Sequence, residues 1–574
     1  MIDRLVRKAA ELELLLGDPA DASSQYGFAA AVRRDERGEF PDELAGVLRE
    51  AGFHLDHLPA EWGGGFESFD RSLLLVRAAA RRDLNTMPAT MFSITAATCV
   101  RLHGSPGQQQ WLAGLLRRGG AVGFALSEAG HGSDLLANEA RLEPDGDGWR
   151  LTGRKWMVGL GQRCEAMYVV ARTGERGPGA FTAVLLDLTT TADGLRRGAP
   201  VATGGMRGID FAHPRFDALP VGRDQLVGRP GQALEVAVKA QQVVRLMSTA
   251  GSLGCADTAL RLTLDFAAER RTGRTLLIDS PYQRRELAVA AAALLSADAV
   301  ALAAARGIHV APEQFSVWGC AAKHVVAEAA EDAIARCGAT LATRSVLRTE
   351  GPGGGLFQKL QRDAALVRVV DTSTLANLRS FAGQLPALAA AAEAGDGDAQ
   401  AARTVFALDR ELPPYDPGRL DLSARGRDLP TGTLAAVATP AARALAEAGS
   451  PAVAALAERL LAAVRGLPAE AAEAAGAPGG TGPADLAERF AWLHAAACCL
   501  QLWWAGRHLP LYGQKPGSAD WLGACLGYLL ARADQQPVRR AAEHLLPALD
   551  VLLDLRREHR MFAAAPVPLA RPGV

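Results

Sequence analysis

Residues 124–161 constrain the fold more than any other stretch: F-A-L-S-E-A-G-H-G-S-D, a short mixed segment, then W-R-L-T-G-R-K-W-M-V-G-L-G. An apolar, strand-like run over 121–126 ends in Ser127-Glu128 and a turn, Gly130-His131-Gly132-Ser133-Asp134. Glycine lets a backbone fold back and approach a ligand closely, while Ser127 and Ser133 offer hydroxyls and N–H groups to an anion. Asp145-Gly146-Asp147-Gly148 is a hairpin signal, and 149–157 alternates like a returning strand that carries the indole of Trp156. The stretch predicts two adjacent strands with a glycine-serine cradle at one end and Trp156 beside it. That shape suits a planar cofactor bearing phosphates. An ordinary hairpin with a core tryptophan satisfies the same residues.

The chain has 574 residues, enough for about two to four domains. With 49% hydrophobic and 22% charged residues it reads as globular, which excludes a mainly disordered chain. A net charge of −1 gives no field drawing it to nucleic acid or anionic lipid. The opening M-I-D-R-L-V-R-K lacks the apolar core of a signal peptide, and no uninterrupted apolar run reaches the roughly 18 residues of a membrane span. No integral membrane segment and a cytoplasmic location are therefore expected. The eight cysteines form no C-x-x-C and no histidine-flanked ligand spacing, so they read as buried hydrophobes in a reducing compartment, with no metal site.

The expected fold is mainly α with an inserted β domain. Residues 1–120 read as a helical domain: Phe40-Pro41-Asp42-Glu43 opens a helix, Pro59 to Gly65 breaks the pattern, and apolar periodicity returns over 72–82 and, after Gly104-Ser105-Pro106, over 108–116. Residues 121–231 change to alternating runs (167–171, 181–186) between Gly, Pro and Asp turns, which indicates an antiparallel β domain. Over 232–385 four long helical segments, 232–271, 281–307, 313–345 and 356–385, predict a four-helix bundle. Residues 386–574 read as a helical extension broken by P-P-Y-D-P and A-P-G-G-T-G-P, without a chemical motif, fitting a structural or interface role.

The S-E-A-G-H-G-S-D run and the G-R-K-W segment resemble the flavin-binding strands of the acyl-CoA dehydrogenase family. The P-A-E-W-G-G loop at 59–64, the G-S-P-G-Q segment at 104–108 and Gly204-Gly205-Met206-Arg207-Gly208 continue the likeness, in order, over residues 40–385. The resemblance implies FAD as cofactor and the order N-terminal helical domain, middle β domain, four-helix bundle. Residues 386–574 correspond to the extension of the longer members. It implies cofactor-binding roles for Leu126, Ser127, Gly132, Ser133, Trp156, Met157, Val158, Arg270, Gln283, Gly338 and Ser373. The family's hydroxyl after the tryptophan is replaced by Val158 or Gly159, its R-x-x-F-G reads Arg270-Arg271-Thr272-Gly273, and its G-G-x-G reads Gly338-Ala339-Thr340-Leu341. The flavin cradle is thus better preserved than the contacts between subunits.

Oxidising a Cα–Cβ bond next to a thioester needs a base for the α-proton, donors that polarise the carbonyl, and a hydride acceptor that only a cofactor supplies. In the family the base is a glutamate after an R-D-A motif. Here that motif is Arg362-Asp363-Ala364 and the base position holds Asp371. The other position used by relatives is Val244, which cannot act as a base, and neighbouring Arg245 matches an arginine beside the catalytic carboxylate. Aspartate pulls the carboxylate back by about 1–1.5 Å. An adjusted pocket, an oxidase chemistry of the nitroalkane-oxidase kind, which uses aspartate, and a weak or dead site all follow from that change; Asp371 as a helix cap is the structural reading. His131 in the cradle is read as incidental, and Gly351 to Gly355 as a connection without a phosphate-loop lysine.

The implied function is α,β-dehydrogenation of an acyl thioester on coenzyme A or a carrier protein. An electron-transfer flavoprotein is the implied acceptor and a homodimer the implied assembly. Alternatives are a flavin oxidase and a non-catalytic FAD-binding relative; G-R-K-W also resembles a DNA-damage-response branch, but the near-neutral charge argues against a nucleic-acid partner, and Arg556 to Arg560 is too short a basic run to change that.

Overall fold

A computed structural model describes residues 2–189, 193–349, 352–390, 396–476 and 482–571. Six helices open the chain: α1 (Ile2–Leu16), α2 (Phe28–Arg37), α3 (Asp42–Glu50), α4 (Phe69–Arg82), α5 (Met87–His103) and α6 (Pro106–Arg117). Their starts follow the sequence signals. Pro41 precedes α3 with Asp42 and Glu43 in its first turn, and at α6 Ser105 and Gln108 form a reciprocal capping box.

Ten strands follow: β1 (Val122–Ala125), β2 (Arg141–Asp145), β3 (Gly148–Arg154), β4 (Val158–Gly159), β5 (Ala166–Arg172), β6 (Phe181–Asp187), β7 (Leu195–Arg196), β8 (Phe211–Ala212), β9 (Arg215–Val221) and β10 (Leu226–Val227). The main sheet runs β10-β6-β5-β2-β3-β9-β7, with β1 also on β5. Asp145 and Gly148 close the β2–β3 hairpin where the D-G-D-G signal placed it. Two expectations need correction. The sheet is mixed, because β1 lies parallel to β5 and β2 makes one parallel pairing with it. The two runs of the opening motif are also not neighbouring strands: β1 pairs with β5, and β3 pairs with β2 and β9. Local alternation marks a strand but not its partner, which tertiary packing chooses.

The bundle is α7 (Ala233–Glu269), α8 (Pro281–Val310), α9 (Phe315–Leu341) and α10 (Leu356–Val369), with a two-strand hairpin, β11 (Arg271–Thr272) and β12 (Thr275–Leu276), between α7 and α8. The fourth segment is not one helix to residue 385. It stops at Val369 and restarts as α11 (Thr374–Ala382), because Val370 is extended, Asp371 is left-handed at φ 65°, and the Ser373 hydroxyl caps the new helix by accepting the Ala376 N–H. The cap is Ser373, not Asp371.

The remaining helices are α12 (Leu385–Ala389), α13 (Asp396–Phe406), α14 (Leu429–Gly432), α15 (Leu434–Glu447), α16 (Pro451–Gly476), α17 (Gly482–Gly506), α18 (Asp520–Ala533) and α19 (Ala542–Arg557). Most of the A-P-G-G-T-G-P segment lies outside the described residues, as does Gly351. Helices α17 to α19 pack on α8, and α17 also on α9, so α8 is enclosed: every residue from Leu287 to His309 is buried. Among the described residues α8 alone is long and apolar enough to cross a membrane, with a mean hydropathy of 2.1 in its most apolar stretch, and that stretch is fully inside the protein.

Charges also lie in this core. Arg77 on α4 donates to Asp298 (2.6 Å), Asp257 (3.0 Å) and the Phe562 carbonyl (2.8 Å). Asp257 accepts the Phe562 N–H (2.9 Å) and Asp298 the Ala564 N–H (2.7 Å), so segment 560–568 is held by its main chain.

Candidate active site

The turn after β1 is held by a buried ion pair. The Lys155 ammonium donates to Glu128 (2.7 Å) and to the Leu126 carbonyl (3.0 Å), and Glu128 also accepts the N–H groups of Glu139 (2.7 Å) and Ala140 (3.0 Å). Burial pushes the Glu128 carboxyl up, but the Lys155 charge and those backbone donors outweigh it, and the group sits below its ordinary range. The Trp156 N–H donates to the Ser127 carbonyl (2.9 Å), tying the start of the turn to the end of β3. Leu126, Ser127, Trp156, Met157 and Val158 therefore meet although their strands do not pair.

Above this support the cradle is open. The Ser127 and Ser133 hydroxyls and the Ser133 N–H make no hydrogen bond among the described residues. A methyl group added at Gly130 or Gly132 would meet nothing within 4 Å, and Gly132 takes φ 54°, a conformation that favours glycine. Trp156 is 42% exposed and lies flat on His213, with ring centroids 6.1 Å apart and planes at 18°. The Met157 N–H donates to His213 Nδ1 (3.1 Å), and Val158 pairs with Ala212. Unspent donors around open backbone, next to a flat exposed ring, fit a phosphate-bearing planar group such as FAD.

The carboxylate lies at the end of α10. Asp363 on this helix accepts the Met206 N–H (2.5 Å) and pairs with Lys359 (2.6 Å), while Gly205 rests on the Arg362 carbonyl, so the β domain grips α10 eight residues before Asp371. The helix break leaves the Val367 carbonyl without an amide partner, and the buried Lys323 ammonium takes it (2.6 Å) together with the Ser248 hydroxyl (3.0 Å). The Asp371 N–H and carboxylate consequently make no hydrogen bond or ion pair among the described residues. Burial raises the Asp371 carboxyl above its usual range, against the pull of Lys323 and then Arg245. Arg245, 7% exposed, donates not to the carboxylate but to the Thr372 hydroxyl (3.1 Å) and Cys320 Sγ (3.6 Å). Val244 is buried in the apolar core.

Arg270, Gln283 and Gly338 are not part of this group. Gln283 accepts the Thr340 hydroxyl (3.1 Å) where α8 begins and α9 ends, and exposed Arg270 caps the far end of α7. At 1.5 Å per residue Arg270 lies about 37 Å along the helix from Arg245.

Sequence reasoning gave no role to Glu128, Lys155, His213 or Lys323. The first two stood inside the quoted motif, and Lys323 was visible as a lone lysine in the apolar A-A-K-H run of α9. His213 carried no local signal.

Comparison with known proteins bears on the family and the fold. Signatures of the acyl-CoA dehydrogenase N-terminal, middle and C-terminal domains match residues 24–118, 123–219 and 231–373, together more than half the chain. A probable acyl-CoA dehydrogenase of Mycobacterium tuberculosis, FadE25, is 26% identical over 243 residues, covering 42% of this chain and 62% of that protein. This chain thus spans somewhat under two thirds of the length of the curated relatives it matches. Among solved structures, butyryl-CoA dehydrogenase from Megasphaera elsdenii superposes with TM-score 0.59 at 18% identity, over 66% of this chain and 95% of that one. The prolyl acyl carrier protein oxidase AnaB gives 0.58 at 16%, over 66% and 96%. Three signatures in unbroken order, on a helical–β–helical frame, make the chain a member of the acyl-CoA dehydrogenase family.

Proposed function

We propose that this chain is an FAD-dependent dehydrogenase that takes the α-proton and β-hydride from an acyl thioester carried on coenzyme A or a carrier protein. One observation carries the reading: Asp371 presents a carboxylate and an N–H that are both free of partners among the described residues, at the break of α10. FAD, when bound, supplies the hydride acceptor that side chains lack. Ser127, Gly132 and Ser133 would hold its phosphates, and Trp156, Met157 and Val158 its ring.

In this reading the Asp371 N–H donates to the thioester carbonyl, acidifying the α-carbon, and one Asp371 carboxylate oxygen takes the proton. Arg245 fixes the turn through Thr372. The assembly in this reading is a homodimer, in which Arg270, Gln283 and Gly338, set apart from the cradle, would meet the cofactor of a second copy. An electron-transfer flavoprotein takes the electrons. The eight cysteines are free and buried, which suits a cytoplasmic protein.

Adding a panel of acyl-CoA and acyl-pantetheine thioesters anaerobically to the FAD-loaded protein is the test. Bleaching of the flavin by one class supports the reading, and Asp371→Asn is expected to slow it by about 10²–10⁴-fold. Full-speed bleaching in Asp371→Asn overturns the assignment of the base. The aspartate in place of glutamate favours a second reading, a flavin oxidase, which stoichiometric hydrogen peroxide with oxygen as sole acceptor would identify.

A further inference from the structure

Three lysines are buried: Lys155, Lys323 and Lys359. Lys155 pairs with Glu128 at 2.7 Å, and Lys359 with Asp363 and Asp83 at 2.6 and 3.2 Å. Lys323, only 3% exposed, has no carboxylate in contact among the described residues. Its hydrogen bonds go to neutral oxygens, the Val367 carbonyl and the Ser248 hydroxyl. A buried ammonium without an ion pair is costly, and a chain keeps one where its charge has a use.

The placement indicates that use. Lys323 is on α9, Ser248 on α7, and Val367 on the last turn of α10, so three bundle helices fix the ammonium beside the break that holds Asp371. Resting on the reading of Asp371 as the base, we propose that Lys323 is a positioning residue: a fixed, non-contacting cation that keeps the Asp371 carboxylate ionised in a desolvated site without tying up either oxygen. A direct ion pair would stabilise the carboxylate equally well but would occupy the oxygen that must reach the substrate proton. The charged groups facing Asp371 are Lys323 from α9 and Arg245 from α7. Arg245 is committed to Thr372 and Cys320, and Arg368 on α10 turns away to Glu328 and Glu331. No carboxylate from α11 faces the site among the described residues. Lys323 itself titrates near 8, pushed down by burial, then held up in part by Asp371.

The bland alternative is that Lys323 only caps α10 through the Val367 carbonyl. Lys323→Gln keeps an N–H donor and removes the charge, Lys323→Arg keeps the charge, and Lys323→Met removes both. The pH profile of kcat/KM on a thioester that bleaches the enzyme separates the two roles. The acidic limb is expected to move up by about one pH unit in Lys323→Gln and Lys323→Met and to stay in place in Lys323→Arg. Below the limb that is about a tenfold loss, and above it little change. A cap alone would lower activity at every pH and leave the limb unmoved, which overturns the proposal. Asp371→Asn measured alongside distinguishes the failures: if it stays active, the base is misassigned; if it is dead and the Lys323→Gln limb is unmoved, only Lys323 is.

A second readout needs no turnover. Thermal stability of the cofactor-free chain is compared for Lys323→Gln, Asp371→Asn and the double variant, from acid to neutral pH. The single effects should be non-additive at neutral pH and become additive once Asp371 is protonated. Additivity at every pH overturns the proposal whatever the substrate.

Discussion

Asp371 shows how one residue's conformation sets its chemistry. At φ 65° it cannot continue α10, so its N–H leaves the helical ladder, and Lys323 satisfies the carbonyl that would have received it. A base must be ionised to act, and burial holds this carboxyl above its usual range. Activity should therefore rise with pH through an acidic limb lying above the roughly 3.9 of a free aspartate, as a kcat/KM profile will measure. Glu128 has the opposite sign. Its folded carboxyl is depressed, so the stability it gives is complete above the unfolded value, near 4.3, and is lost as pH falls through the folded one. Glu128→Gln leaves Lys155 buried without its charge partner and is expected to cost about 3 kcal/mol in denaturant unfolding at neutral pH. Sequence reading drew attention to both stretches through their motifs. It saw Glu128 and Lys155 as letters in a pattern, since nothing local reveals that residues 27 positions apart form a buried ion pair.

Among elements, α10 matters most, because one helix carries the docking surface for the β domain and leads into the break that holds the proposed base, Asp371. At Gly205 a side chain would overlap the Arg362 carbonyl and press on the Asp363 N–H, and backbone cannot yield as a flexible side chain does. Gly205→Ala should cost about 1–3 kcal/mol by thermal melting and lower activity with it, since the helix that must shift stops two residues before Asp371. The helices were readable because apolar spacing and caps such as Ser105 with Gln108 are local. The partner of β1 was not. Residues 121–126 and 149–157 alternate well enough to be strands, but β1 settles on β5 because side chains from Val122, Ala166 and Tyr168 share one apolar layer with α5 and α6. The break at 370–373 was hidden for a similar reason: Val369, Val370 and the residues after Ser373 keep helical periodicity, and only the left-handed Asp371 interrupts it.

At the scale of the whole molecule, burying α8 sets the architecture. A helix so apolar needs cover on every side, and α17, α18 and α19 supply what α7 and α9 leave open. The same layer encloses Arg77, Asp257 and Asp298, which segment 560–568 completes through Phe562 and Ala564. Asp298→Ala takes from Arg77 one of its two carboxylate partners and leaves the Ala564 N–H unbonded, and chemical denaturation should show a loss of about 3 kcal/mol. Arg77 belongs to α4, laid down early in synthesis, and the main-chain groups it awaits emerge nearly five hundred residues later. A ribosome building this chain thus makes a lock long before it makes the key. Helices α4, α7 and α8 can gather as they appear and pair Arg77 with Asp257 and Asp298, but the backbone groups of Phe562 and Ala564 join that network only once residue 564 is free of the exit tunnel. A transcript cut short before that codon yields a product whose enclosed charges lack those backbone partners, so a fully bonded core marks a copy translated through that point.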